Sequence, residues 1–368
     1  MKKKWNVLLI GLLVVFLSGC GIASTVKKED TNSDKKPSTQ NEQQKPTPTP
    51  SPETPVVDHS NDMRSFLTGE WVTKEIGNQR PLAIMIANTT VVCPQSSIDQ
   101  AKILYEVPVE GGITRFLAVF ENYSALEKIG SVRSCRYYYV YLAHEWNAIY
   151  AHYGQSQYAD QLLKNPLVNR ISGFDSDTQG IVFFRTSDKK APHNAFAKGS
   201  GIIPYAQKKG FAVTHPEGYE GTFKFTDDSN PVMLSNGSTA NKVVSGFVIS
   251  DSYFQYDLAT QQYLRFQYNQ PHTDAISGKQ LSFKNILVQF TQIGYLNDNK
   301  SLKIDLTGSG KGYYITNQKA IEVKWTKKEE FGITHYYDLA GNEIQLNQGK
   351  TCILIIDQNR KGKFQILE

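Results

Sequence analysis

Residues 130–136 read GSVRSCR and set Arg133 and Arg136 three apart around a serine and a cysteine. If this segment opens a helix, the two guanidinium groups share one face. Planar forks in that arrangement suit a phosphate, pyrophosphate or carboxylate, each gripped through parallel hydrogen bonds. Arg185 ends another strand candidate, and Asn88 and His152 end two more; Glu110 and Arg115 lie in the VEGGITR turn at 109–115. His193 and Asn194 follow in the APHN loop. In open α/β sheets ligands bind beyond the carboxyl ends of strands, where such residues converge. The expected anion-binding set is therefore Arg115, Arg133, Arg136 and Arg185. Asn88, Glu110, His152, His193 and Asn194 are the catalytic or ligand-contacting candidates. Two other readings stand beside this one. Arginines at strand ends pair with acidic neighbours, and Glu106, Glu110 and Glu121 are at hand, or they meet a partner protein. His152 taken alone reads as a hydrogen-bonded structural histidine.

Other chemistries find less support. There is no GxSxG elbow, and HEWNA at 144–148 lacks the second histidine of a zincin. TGSGKG at 307–312 lacks the P-loop spacing and reads as a turn. No CxxC or Cys/His cluster suggests a metal, so neither metal nor cofactor is assigned. A divalent cation, which phosphotransfer requires, has no motif here. Tyr137, Tyr138, Tyr139, Tyr141, Tyr150, Tyr153 and Tyr158 crowd one region, with Tyr253, Tyr256, Tyr263 and Tyr268 further on. Exposed rings of this kind stack on sugars, although tyrosine also serves well in cores and interfaces.

Positioning such residues takes a frame of strands. PLAIMIAN (81–88) is a near-continuous apolar run, as in a strand buried on both faces. KILYEV (102–107), TRFLAVFE (114–121), NAIYAHY (147–153) and IVFFR (181–185) are further strands. CRYYYVYLAHEW (135–146), with Ser134 as its N-cap, QSQYADQLLK (155–164) and residues 202–209 read as helices. This alternation predicts an α/β domain over 71–220. Beyond it, short β-prone runs at 242–249, 252–257, 263–268, 286–292, 312–316, 320–325 and 352–357 are separated by turns such as AGNE. They predict a β-rich domain, barrel- or sandwich-like, over 221–368.

The N-terminus has its own signature. Lys2, Lys3 and Lys4 precede the apolar run VLLIGLLVVFL, which ends in Leu17-Ser18-Gly19-Cys20. That is a signal peptide over 1–19 closing on a lipobox, with Cys20 as the lipidation site. Residues 20–70, rich in polar residues and carrying PTPTPSPETP, cannot bury enough apolar surface to offset their ordering entropy and read as a tether. Loss of the three lysines lowers the formal charge of +5 by three, so nucleic-acid binding loses its electrostatic argument. Cys93, Cys135 and Cys352 remain, an odd number for an exported chain, and read as mostly buried thiols.

RPLAIMIAN, PQSSIDQAKILYEVPVEGGITRF, KIGSVRSCR and APHNAF resemble the YerB-like family of bacterial lipoproteins. The resemblance continues through YLRFQ at 263–267, PHTDAISGKQL at 271–281, KWTK at 324–327 and YYDLAGNEIQLNQGKTCI at 336–353. It implies two paired domains of unknown function behind a lipobox, and it brings no established activity. Where that family often reads MIDNH, this chain has Met85-Ile86-Ala87-Asn88, and Cys352 stands at a position usually held by tryptophan. A looser similarity links TRFLAVF and IGSVRSCR to LytR–CpsA–Psr phosphotransferases, whose acidic metal ligands have no clear equivalents here.

The expected protein is lipid-anchored through Cys20 at the outer face of the cytoplasmic membrane. Its α/β domain carries an anion cleft, and it binds a cell-wall polymer or envelope protein in a Gram-positive envelope. The alternatives are a phosphotransferase-like enzyme acting on a lipid-linked wall precursor, and a scaffold for a protein partner.

Overall fold

The apolar run at 81–88 forms strand β1 (Leu82–Asn88), all seven of its residues buried. A computed structural model describes residues 58–368; the signal peptide, Cys20 and the tether as far as residue 57 lie outside the described residues. Around β1 builds an eleven-stranded sheet. Its other members are β2 (Ile103–Pro108), β3 (Thr114–Phe120), β4 (Ile149–His152), β5 (Arg170–Ser172), β6 (Ser238–Thr239), β7 (Asn285–Thr291), β8 (Gly308–Thr316), β9 (Lys319–Lys327), β10 (His335–Tyr337) and β11 (Thr351–Asp357). Their order in space is β6-β9-β8-β7-β11-β2-β3-β1-β4-β5, with β10 also paired to β9.

Strands from both expected domains thus share one sheet. The junction is β11, which runs parallel to β2 on one side (Leu354 beside Glu106) and to β7 on the other (Ile286 beside Cys352). Residues 58–368 lie in one compact unit. Residues 221–368 are β-rich as expected, but the barrel alternative is corrected: their strands divide among the shared sheet, a six-stranded one and a two-stranded hairpin, and no sheet among the described residues closes. Alternating hydrophobicity identifies a strand without naming its neighbour.

The described residues are mostly strand, with few helices. These are α1 (Lys74–Asn78), α2 (Tyr137–His144), α3 (Gln157–Asp160) and α4 (Ile202–Lys208). The helix expected over 155–164 is shorter: α3 ends at Asp160, a tighter 3-10 turn follows over Leu162–Lys164, and Asn165, which precedes Pro166, is extended. Helix α2 is buried from Tyr138 to Ala143, on every side, as an apolar helix must be.

Alternate residues of β1 serve two cores. Ala83 and Met85 face a layer holding α2, Tyr314 and Trp325. Leu82, Ile84 and Ile86 face α4 and the six-stranded sheet through Val243, Phe254 and Tyr263. The folded body also begins earlier than the expected end of the tether at 70. Asp62–Arg64 pairs with Trp71–Thr73, while Ser65, Leu67 and Thr68 are buried. Met63, Phe66 and Leu67 supply apolar surface that the polar tract before them lacks.

Candidate functional site

The GSVRSCR segment does not open a helix at its arginines. Its backbone is extended between two strands: Arg133 N–H donates to the Met85 carbonyl, and the Arg133 carbonyl accepts from Tyr153 N–H. Cys135 N–H then donates to the Gly154 carbonyl, and Ser156 N–H to that of Cys135. These cross-strand bonds hold the chain out of helical geometry until Arg136, which is itself extended and is the N-cap of α2. Ser134, expected to cap the helix, instead donates its hydroxyl to the Tyr153 carbonyl (3.2 Å). Arg133 and Arg136 consequently find different partners.

Arg136 grips Glu110. Its Nε lies 2.9 Å from both carboxylate oxygens and its Nη2 lies 2.7 Å from Oε2. Burial works against charge on either group, yet the pairing raises the Arg136 pKa and lowers that of Glu110. Arg133 turns to the 192–193 loop, donating to the Pro192 carbonyl (2.7 Å) and sitting 3.3 Å from His193 Nδ1. Arg115 lies between them and donates to the Ser134 carbonyl. Burial first, and then the Arg136 charge, depress the Arg115 pKa; burial and Arg115 bring Arg133 down to about 10. Three guanidinium groups therefore share one carboxylate, and Arg136 has taken it. Among the described residues Arg115 and Arg133 form no ion pair. His193 is likewise depressed, by burial and then by Arg133 and Lys189, which marks the same positive neighbourhood.

Arg185 stands over the ring of Tyr153 (4.5 Å) and donates to Asn194 Oδ1 (2.7 Å), whose amide donates in turn to the Thr186 carbonyl. Cation–π contact and a neutral acceptor leave its charge uncancelled. His152 is fully buried, with Nδ1 2.8 Å from the Gly154 carbonyl. Burial drives its pKa to about 4, so the imidazole is neutral.

Asn88 belongs to a different assembly, centred on Glu106. Its Nδ2 donates to Glu106 Oε1 (3.2 Å) and to Thr114 Oγ1 (2.8 Å). Ser250 and Ser252 donate to the same carboxylate, and Arg265 closes an ion pair with it at 2.6 Å, neither side chain exposed. His272 bridges Arg265 and Gln95, its Nε2 2.8 Å from Gln95 Oε1. Burial and the Arg265 charge hold its pKa well below the usual range. Glu106 is thus spent on Arg265 and leaves the arginine cluster alone. The sequence carried one signal of this network. In QYLRFQ the inward slots fall at Tyr263, Arg265 and Gln267, and an arginine in an inward slot needs a buried counter-ion. Glu145, from HEWNA, is likewise held by Lys327 and Thr334. Among the described residues no group of three or more His, Cys, Asp or Glu side chains is placed to hold a metal ion.

Two regions of the chain match domains described as protein of unknown function: the DUF3048 N-terminal domain over residues 67–212 and its C-terminal domain over 244–353. "Putative lipoprotein YerB" of Bacillus subtilis (strain 168) is 28% identical over 311 residues, covering 82% of this chain and 88% of its own length. The crystal structure of the YerB protein from Bacillus subtilis superimposes with a TM-score of 0.72 at 26% identity, covering 83% of this chain and all of that one.

Proposed function

The chain belongs to the YerB-like family of paired DUF3048 domains, and from that premise we propose that it is a surface lipoprotein, anchored through Cys20, that binds an anionic envelope ligand. The ligand's phosphate or pyrophosphate sits on Arg115 and Arg133, with His193 and Arg185 at the margin. The single observation behind this reading is the charge balance. Glu110 neutralises Arg136, whereas Arg115 and Arg133 make contact with carbonyl oxygens and His193. Half-buried guanidinium groups that repel one another gain most from an anion able to bridge them. Support for the anchor comes from the LSGC motif and from the description of the Bacillus subtilis relative as a lipoprotein.

Calorimetric titration of pyrophosphate into the detergent-solubilised full chain tests this. Charge-assisted bonds contribute about 1.5–3 kcal/mol each, so Arg115→Ala with Arg133→Ala should weaken binding by roughly tenfold or more. Glu110→Gln removes the carboxylate paired with Arg136 and should tighten it. A folded wild type that takes up no pyrophosphate overturns the proposal.

A further inference from the structure

One residue beyond Arg136, the chain enters a cleft of different character. Tyr137 and Tyr141 of α2 and Tyr158 of α3 line one wall. Lys303 and Asp305 come from the far strand of the hairpin Ile293–Tyr295/Leu302–Ile304 and the residue after it, and Glu330 completes the rim. The space enclosed is about 330 Å³. It lies near the lower end of the range for small-molecule sites, roughly 300–1,000 Å³.

The walls are fixed to one another. Ile304 N–H donates to the Tyr137 hydroxyl (2.9 Å), clamping α2 to the hairpin. The rings of Tyr137 and Tyr141 meet edge to face, 6.1 Å apart, and Tyr141 rests against Phe331 at 5.2 Å. Burial, and after it the nearby Asp305 and Glu330 charges, raise the Tyr137 pKa; burial and Glu330 do the same for Tyr141. Asp305 and Glu330 line the same cleft as the tyrosines. Asp305 is partly neutralised by Lys303 (3.2 Å), while Glu330 is exposed.

We propose that this cleft binds a neutral pyranose ring of a glycan. The π faces carry negative charge and attract the polarised C–H groups of a sugar face. Asp305 and Glu330 accept hydrogen bonds from hydroxyls, and Lys303 donates. Two carboxylates against one lysine repel a phosphate or uronate, so the ring taken here is uncharged. A preformed cleft also avoids much of the ordering cost that weakens sugar binding. This reading deepens the previous one and rests on it for the ligand class: Tyr137 follows directly on Arg136, whose charge acts on Arg115. The ligand is a phosphate-bearing glycan, with sugar on the tyrosines and phosphate on the arginines.

Two probes separate the sites: chitotetraose and maltotetraose, each titrated into the detergent-solubilised full chain with saturation-transfer NMR as the readout, and pyrophosphate by calorimetry. At least one tetrasaccharide should bind with millimolar affinity and receive magnetisation from tyrosine ring protons. Glu330→Gln, at an exposed position, and Tyr158→Ala, on the short α3, should together weaken that binding tenfold or more and leave pyrophosphate affinity unchanged. A folded chain that binds neither tetrasaccharide overturns the sugar site, as does binding that the two substitutions leave intact. Loss of pyrophosphate binding alone would instead count against the arginine cluster.

Discussion

Glu106 and Arg265 meet at 2.6 Å with neither side chain reaching solvent. They join a strand of the shared sheet to a strand of the six-stranded sheet stacked on it. Removing one partner strands a charge in the interior, which costs about 3–5 kcal/mol. Arg265→Met should therefore lower unfolding free energy in urea by that amount. Lys164→Ala, which breaks only the exposed pair with Asp160, should cost less than about 0.5 kcal/mol. Similar losses for both variants would show that the buried pair is not the stronger tie.

Stability should fall on the acid side because of buried neutral histidine. His152 has a folded pKa near 4 against an ordinary value of 6.5, so the unfolded chain binds the proton first. Its contribution is complete above about pH 6.5, is lost as pH falls towards 4, and amounts to roughly 3 kcal/mol at most. His152→Asn, able to donate to the Gly154 carbonyl, should flatten the stability curve in that window. Superimposable curves for variant and wild type would rule His152 out.

Thiol reactivity should rank by burial. Cys135 and Cys352 are buried and Cys93 is half-buried. Burial pushes Cys93 up to about 11 and Cys135 to about 12, so thiolate is scarce at neutral pH. A thiol reagent at pH 8 should label Cys93 slowly in the native chain and reach Cys135 and Cys352 only after denaturation. Fast native labelling of Cys135 would contradict the packing around α2.

Trimming the N-terminus should separate tether from body near residue 58. A chain starting at Asp58 keeps the Asp62–Arg64 strand, buried Leu67, and the bond from the Ser65 hydroxyl to Glu121. One starting at Trp71 loses all three. Thermal melts should leave the first unchanged and lower the second by several degrees.

Lipidation is checked directly. Cys20→Ala should leave the protein unprocessed or release it from membranes, read by radiolabelled fatty acid and by fractionation. Equal labelling of the variant and the wild type would refute the lipobox reading.

How far the sequence disclosed this molecule depended on the range of the interaction. β1 and β3 were legible because each holds an unbroken apolar run, residues 82–87 in one and 116–120 in the other. The pairing of β11 with β2 was not, since nothing local in TCILIID specifies a neighbour some 250 residues earlier. GSVRSCR misled for the same reason: its spacing fits a helix, but bonds to Met85 and Tyr153 decide its conformation. Arg136 could be read as a partner of Glu110. The isolation of Arg115 and Arg133 became visible only when Glu106 proved to be occupied by Arg265.

The position of β11 bears on how the protein is made. Threaded out N-terminus first, the chain presents β2 and β7 long before residues 351–357 arrive to fill the gap between them. Until then each offers an unpaired edge, a template for association with other chains. A premature stop before residue 351 would therefore yield a sticky intermediate instead of a serviceable half. The closing strand acts as a late checkpoint, committing both family domains to complete one sheet together.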